Sequence, residues 1–309
     1  MSQTLPQLSA LKAGGKAALA GALAHIERAP DAPATISLLS DAYAAPRAHV
    51  LGVTGPPGVG KSTLLSALIR AWRQRGSTVG VIAVDPSSRR TGGALLGDRT
   101  RIVTAPDDDG VFIRSMAARD RLGGLAELTF PATVLMRALF DVVIVETVGV
   151  GQSETDVVAI ADTVLFCVQP GSGDSLQFMK AGIAEIPHLI AVTKGDLGAP
   201  AERARADVEG ALSLAEAGDE GWTLQVLMLS AATGAGIEGL LDAVEAHRRH
   251  LADSGRGAVQ RLRQAETWLE DWLRAQFGRQ GLARAGDIAL KPGQSPFARA
   301  GEIAQRLRG

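Results

Sequence analysis

Gly55-Pro56-Pro57-Gly58-Val59-Gly60-Lys61-Ser62-Thr63 follows a predicted strand, His49–Val53, and opens a predicted helix, Ser62–Arg75. The stretch fits G-x-x-x-x-G-K-[ST], and strand, loop and helix stand in the order that motif requires. The physical reading is direct. Glycines let the backbone curl so that its N–H groups face inward around phosphate oxygens. The positive end of the following helix points at the same place. Lys61 is placed to reach the β and γ phosphates, and Ser62 to offer its hydroxyl to Mg²⁺. The nucleotide-binding stretch is thus Gly55, Pro56, Pro57, Gly58, Val59, Gly60, Lys61, Ser62 and Thr63.

Outward from this loop, short apolar runs alternate with amphipathic stretches. The runs are Val50–Val53, Val79–Val84, Val142–Val145, Thr163–Val168, Leu189–Val192 and Val226–Leu229. Continuous β-branched runs of this length suit parallel strands buried on both faces. Helical stretches such as Ser62–Arg75 and Leu176–Glu185 complete βαβ units. The expected fold class is α/β, a doubly wound, mainly parallel sheet with N- and C-terminal helical extensions.

Three parts are expected. Residues 1–46 read as two helices, the first carrying Leu8, Leu11, Leu19, Leu23 and Ile26, the second Ile36, Leu38, Leu39 and Tyr43. Residues 47–255 hold the sheet. Residues 256–309 are helical again, with Leu262, Trp268, Leu269, Trp272, Leu273 and Phe277 on one side of Gln260–Phe277. Two tryptophans on an appended helix need a surface to cover, either the chain's own core or a second subunit.

Bulk properties narrow the class. Of 309 residues, 46% are apolar, as a folded globular protein requires. The 32 basic and 33 acidic residues nearly cancel, so nothing points to a nucleic-acid partner. Cys167 is the one cysteine, so no intramolecular disulfide forms and a reducing setting fits. No leader pattern occupies residues 1–30, and no apolar run is long enough for a bilayer. The expectation is a cytoplasmic protein with no membrane partner.

Phosphoryl transfer calls for a metal that neutralises developing charge. Its carboxylates should lie at strand ends near the loop. Asp85 ends Val79–Val84, Glu146 ends Val142–Val145, and Asp98 follows in the loop after Asp85. In a parallel sheet the carboxyl ends converge on the ligand, so Asp85 and Glu146 are expected to share a site with Lys61. Each also reads as a turn or helix-cap carboxylate, and for Asp98 on pattern alone that reading is favoured.

Thr193-Lys194-Gly195-Asp196 follows Leu189–Val192. A carboxylate there accepts both guanine N1–H and the 2-amino N–H. Adenine lacks that paired donor edge, so Asp196 is expected to select GTP over ATP, although the short string also reads as an ordinary strand-to-helix loop. Lys194 is expected along the base, with Ser230-Ala231 closing over it.

At these residues the chain resembles the methylmalonyl-CoA mutase-associated GTPases, the MeaB/ArgK family. The strings are long: Val84-Asp85-Pro86-Ser87-Ser88, Gly92-Gly93-Ala94-Leu95-Leu96-Gly97-Asp98-Arg99, Phe112-Ile113-Arg114-Ser115-Met116, Leu122-Gly123-Gly124-Leu125-Ala126 and Glu146-Thr147-Val148-Gly149-Val150-Gly151-Gln152-Ser153-Glu154. Pro170-Gly171-Ser172-Gly173-Asp174, with Gln177 and Lys180, adds another. The resemblance implies a GTPase of the signal-recognition and metallochaperone class, turning GTP into GDP and phosphate with Mg²⁺. It implies a homodimer, often held by a C-terminal arm, which gives Trp268 and Trp272 weight as dimer contacts. It implies a chaperone that gates adenosylcobalamin delivery to an acyl-CoA mutase and protects it, adenosylcobalamin entering only through that partner. Lys61, Asp85, Asp98 and Glu146 match its nucleotide, metal and hydrolysis positions. Gln152, Asp174, Gln177 and Lys180 match segments that couple to the mutase.

Three departures from the family pattern stand out. Thr193 replaces the usual Asn, and its shorter side chain predicts a base loop held less firmly. Asp120 stands where Gly is usual, and Pro187-His188 replaces Ala-Asp. Rival readings are a nickel-insertion GTPase, a transport-linked ATP-dependent kinase and a slow binding switch. Nickel insertion needs thiolate or imidazole ligands close together. Cys167 sits in an apolar strand, the five histidines are scattered, and His247 and His250 read as a solvated helix face.

Overall fold

A computed structural model describes residues 5–86, 102, 105, 107–118, 128–147, 156–171, 186–213 and 221–308, with the backbone alone at 85, 86, 117 and 118. Seven strands form one sheet: β1 His49–Thr54, β2 Val79–Pro86, β3 Val111–Ala118, β4 Val142–Glu146, β5 Thr163–Val168, β6 Leu189–Val192 and β7 Gln225–Met228. Their order is β3-β2-β4-β1-β5-β6-β7, and every pairing is parallel. The doubly wound parallel sheet is therefore present. β1 and β4 are buried along their whole length, as continuous apolar runs in a two-sided parallel sheet require.

One strand went unread in the sequence. Val111–Ala118 pairs with β2 from Val79↔Val111 to Pro86↔Ala118 and forms the sheet's edge. Arg114 and Ser115 interrupt its apolar pattern, which an edge strand tolerates because part of it faces water.

The chain forms two compact units. The sheet unit comprises His49–Ala126 and Val142–Gly255, and includes helices α4 Lys61–Gln74, α6 Ala199–Leu212 and α7 Ile237–Asp253. Its core joins Leu64, Leu65 and Leu68 of α4, Leu240 and Leu241 of α7, and Leu51, Val81, Ile144 and Leu165 of the sheet.

The helical unit comprises Met1–Ala48, Glu127–Asp141 and Arg256–Gly309. Its helices are α1 Leu8–Ala13, α2 Gly15–Arg28, α3 Pro33–Ala44, α5 Thr129–Leu139, α8 Arg256–Ala285 and α9 Pro296–Arg308. The first N-terminal helix is two, because Gly15 takes φ +63°, which breaks the helical path. Gly278, at φ 69° and ψ −176°, kinks α8. Trp268 and Trp272 cover their own chain. Trp268 lies 5.5 Å from Phe130 and 4.7 Å from Phe297 between ring centroids, and Trp272 is buried at 6% exposure. Of the two, Trp268 is half-buried and Trp272 buried within this unit. A cavity of about 530 Å³ opens in this unit, with Ile26, Ile36, Trp268, Trp272 and Phe297 among its walls.

Candidate functional site

The phosphate loop hangs from the end of β1, at the point where the strand order reverses and α/β sheets bind ligands. Gly55, Gly58 and Gly60 take φ of +133°, +76° and +99°. At Gly55 the need is absolute, since a Cβ there would lie 2.3 Å from the Cys167 carbonyl oxygen. Helix α4 starts with no side-chain cap and no acidic residue in its first turn. Its first N–H groups and dipole thus face the loop unneutralised, which is what an anion site requires.

Lys61 is 7% exposed, and its Nζ donates to the carbonyls of Gly55 at 2.6 Å and Pro56 at 3.0 Å. Its charge lies over the same loop. Ser62 Oγ donates to Glu146 Oε1 at 3.1 Å. Glu146 ends β4, with Val53↔Glu146 as the last pair of the β1–β4 ladder, and is 5% exposed. A hydroxyl and a carboxylate held side by side are hard oxygen donors of the kind Mg²⁺ takes. Among the described residues no group of three or more His, Cys, Asp or Glu is arranged to hold a metal. Mg²⁺ is commonly held by one or two carboxylates together with phosphate and water, and Glu146 with Ser62 is the described part of such a set.

Asp85 lies on β2, two residues beyond Ala83, which pairs with Glu146. Its backbone therefore reaches the site end of the sheet. Asp98, Gln152, Asp174, Gln177 and Lys180 lie outside the described residues, as does Asp120.

Thr193-Lys194-Gly195-Asp196 leaves β6 beside the phosphate loop. Thr193 Oγ1 lies 2.7 Å from the Val59 carbonyl and 2.9 Å from that of Val168, donating its one hydrogen between them. This buried hydroxyl stitches the loop to the phosphate loop and to the end of β5. Lys194 is the one described non-glycine residue with positive φ, at 55°. That conformation costs energy and persists only where surroundings enforce it. Lys194 Nζ donates to Gln169 Oε1 at 2.5 Å. Gly195 N donates to the Leu229 carbonyl at 2.8 Å, drawing in the loop that carries Ser230 and Ala231. Ser230 is 1% exposed, whereas Asp196 presents its carboxylate on the surface.

Sequence reasoning passed over Gln169, Thr54 and Thr147. Thr147 Oγ1 donates to Thr54 Oγ1 at 2.9 Å. Their positions beside Glu146 and Gly55 were the available signal. Cys167 is fully buried, and burial pushes its thiol up to about 12, with Glu146 adding to the rise and Lys61 opposing it. A thiol held protonated is neither nucleophile nor metal ligand.

The histidines overturn the scattered, solvated reading. Thr163 Oγ1 lies 2.6 Å from His49 Nε2 and 2.6 Å from His247 Nδ1. Ring centroids of His188 and His250 lie 4.2 and 6.1 Å from that of His247, and that of Trp222 4.6 Å. His247 is 0% exposed. Helical spacing placed His247 and His250 together, but α7 turns that face onto the amino ends of β1 and β5, away from the phosphate loop.

This sheet, with its phosphate loop and tethered base loop, defines a P-loop nucleotide-binding protein of the GTPase class. The chain belongs to the family described as methylmalonyl-CoA mutase-associated GTPase MeaB, whose profile matches residues 19–283. A putative GTPase of Caulobacter vibrioides is 38% identical over 298 residues, 95% of this chain and 91% of its own. The mouse protein named methylmalonic aciduria type A homolog, mitochondrial, is 38% identical over 222 residues, 71% of this chain and 54% of its own. Among solved structures, one described as a LAO/AO transport system kinase has a TM-score of 0.68 at 29% identity, covering 98% of this chain and 96% of that one. No described helix is long and apolar enough to cross a membrane.

Proposed function

We propose that this protein hydrolyses GTP to GDP and phosphate with Mg²⁺. We further propose that it serves as a chaperone for an adenosylcobalamin-dependent acyl-CoA mutase, gating cofactor delivery and protecting the mutase. The observation that carries the reading is the hydrogen-bonded union of three parts: the Lys61 loop, the Ser62–Glu146 pair and the Thr193–Asp196 loop. In this reading Lys61 neutralises the β and γ phosphates, and the N–H groups at the start of α4 orient them. Ser62 and Glu146, with Asp85 and Asp98, hold Mg²⁺, which supplies charge neutralisation at the phosphate oxygens. Asp196 reads the guanine edge, Lys194 lies along the base, and Ser230 and Ala231 close beside it. The family description supports the mutase as partner. Gln152, Asp174, Gln177 and Lys180 belong to segments that sense that partner. The protein works as a homodimer in the cytoplasm.

The test is GTP turnover by the purified protein, alone and with each of several adenosylcobalamin-dependent acyl-CoA mutases. Acceleration by one mutase, absent with ATP, is the expected result. Equal rates with every mutase refute the chaperone role and leave the hydrolase.

A further inference from the structure

Thr54 is the last residue of β1, and Thr147 is the first after β4. Both are buried, at 0% and 1% exposure. Thr147 Oγ1 donates to Thr54 Oγ1 at 2.9 Å, and Thr147 N donates to the Val53 carbonyl at 3.1 Å. The interior of these strands is otherwise apolar: Val50, Leu51 and Val53 on β1, and Val142 to Val145 on β4. Two valines of the same shape would avoid the cost of burying two hydroxyls. What the hydroxyls add is position.

Thr147 is bonded through the chain to Glu146, and Thr54 to Gly55, whose carbonyl receives Lys61 Nζ at 2.6 Å. The β1–β4 register ends at Val53↔Glu146. The threonine bond adds one tie beyond that end, where the strands open into the site. Threonine is stiff at χ1, so a bond between two such side chains constrains the backbones that carry them. The atoms held are those whose spacing matters, because Ser62 Oγ and Glu146 Oε1 stand 3.1 Å apart.

We infer that the Thr54–Thr147 pair is a positioning latch, fixing Glu146 against Ser62 and the phosphate loop and so setting the affinity of the nucleotide-bound site for Mg²⁺. The inference rests on the proposed reading of this site as a magnesium–nucleotide site. Neither threonine needs to touch nucleotide or metal.

The test measures equilibrium binding of a fluorescent GDP analogue to the full chain, first in excess EDTA and then across a Mg²⁺ titration. The variants are Thr147→Ser, Thr147→Val and the double variant Thr54→Val/Thr147→Val. The double variant leaves no hydroxyl unsatisfied and is the one best placed to fold. Groups that orient metal ligands change metal affinity by about tenfold or more when removed. The Mg²⁺ midpoint is therefore expected to rise about tenfold in Thr147→Val and in the double variant. Affinity in EDTA should stay within about twofold, and Thr147→Ser, which keeps the hydroxyl but not the stiff χ1, should fall between wild type and Thr147→Val. A pair that merely satisfied itself in the core gives a different result: the double variant regains the wild-type midpoint, and that overturns the latch. Wild-type protein that binds no GDP, or binds it without any Mg²⁺ effect, overturns the magnesium–nucleotide reading itself, before any variant is compared.

Discussion

Acidification should destabilise the sheet unit through His247. Its imidazole is fully buried and its pKa is lowered from 6.5 to about 2, chiefly by burial and then by the neighbouring imidazoles of His188, His49 and His250, with Asp162 opposing. The folded state therefore holds His247 neutral, while the unfolded chain takes up a proton below about pH 6.5. The unfolded state binds more protons throughout that window, so stability falls as pH falls. The contribution is fully present above the unfolded pKa and is lost progressively towards the folded one. At about pH 5 the group stands about 1.5 units below its unfolded pKa, and at about 1.4 kcal/mol per unit the loss is about 2 kcal/mol. The assay is urea unfolding followed by circular dichroism between about pH 7.5 and pH 5, for wild type and His247→Asn. The asparagine amide keeps a polar group towards Thr163 Oγ1 but does not titrate. The variant should be less stable at neutral pH, and its stability should fall by about 2 kcal/mol less over the same range. Parallel pH slopes for the two proteins would refute the assignment.

Four further outcomes are expected. Gly55→Ala forces a Cβ to 2.3 Å from the Cys167 carbonyl at φ +133°, so the loop must shift and nucleotide binding, read by calorimetry, should be lost. Lys61→Ala should abolish GTP hydrolysis in a phosphate-release assay, and near-normal turnover would remove the phosphate-loop assignment. Thr193→Val removes the hydroxyl tie to the Val59 carbonyl, while the Val168 carbonyl keeps the Thr193 backbone N–H; the lost bond, at a cost of about 1–3 kcal/mol, should appear as weaker GTP binding and a lower Tm. Asp196→Asn should weaken GTP more than xanthosine triphosphate, and unchanged discrimination in competition binding would place the base site elsewhere.

The loops singled out as candidates for chemistry could be picked out because the signals that mark them are local. Gly55 to Thr63 needs only its own glycines, its lysine and the helix that follows, and the β-branched runs around it have the length and burial of parallel strands. Glu146 and Thr193 to Asp196 were legible for the same reason, since each sits directly after such a run. Strand β3 was not, because Arg114 and Ser115 break the apolar pattern on an edge where one side meets water. The ties made by Thr193 were not legible from its count of hydrogen-bonding groups. How firmly a hydroxyl holds depends on which carbonyls lie within reach, and those belong to residues 134 and 25 positions away in the chain.

The sequence alone determined the fold class, the phosphate loop and the end of the sheet where ligand chemistry gathers, because periodicity and turn chemistry are properties of neighbouring residues. Tertiary structure decided the rest. It brought His49 and His247 to Thr163, and His188 and His250 to His247, from three separate segments. It turned Trp268 onto Phe130 and Phe297 and Trp272 onto Trp268 and Phe277 of the same chain, and bonded Thr147 to Thr54 across two strands. Most of these contacts join residues far apart in the chain. They exist only once the apolar faces have chosen their partners, and no local pattern records that choice.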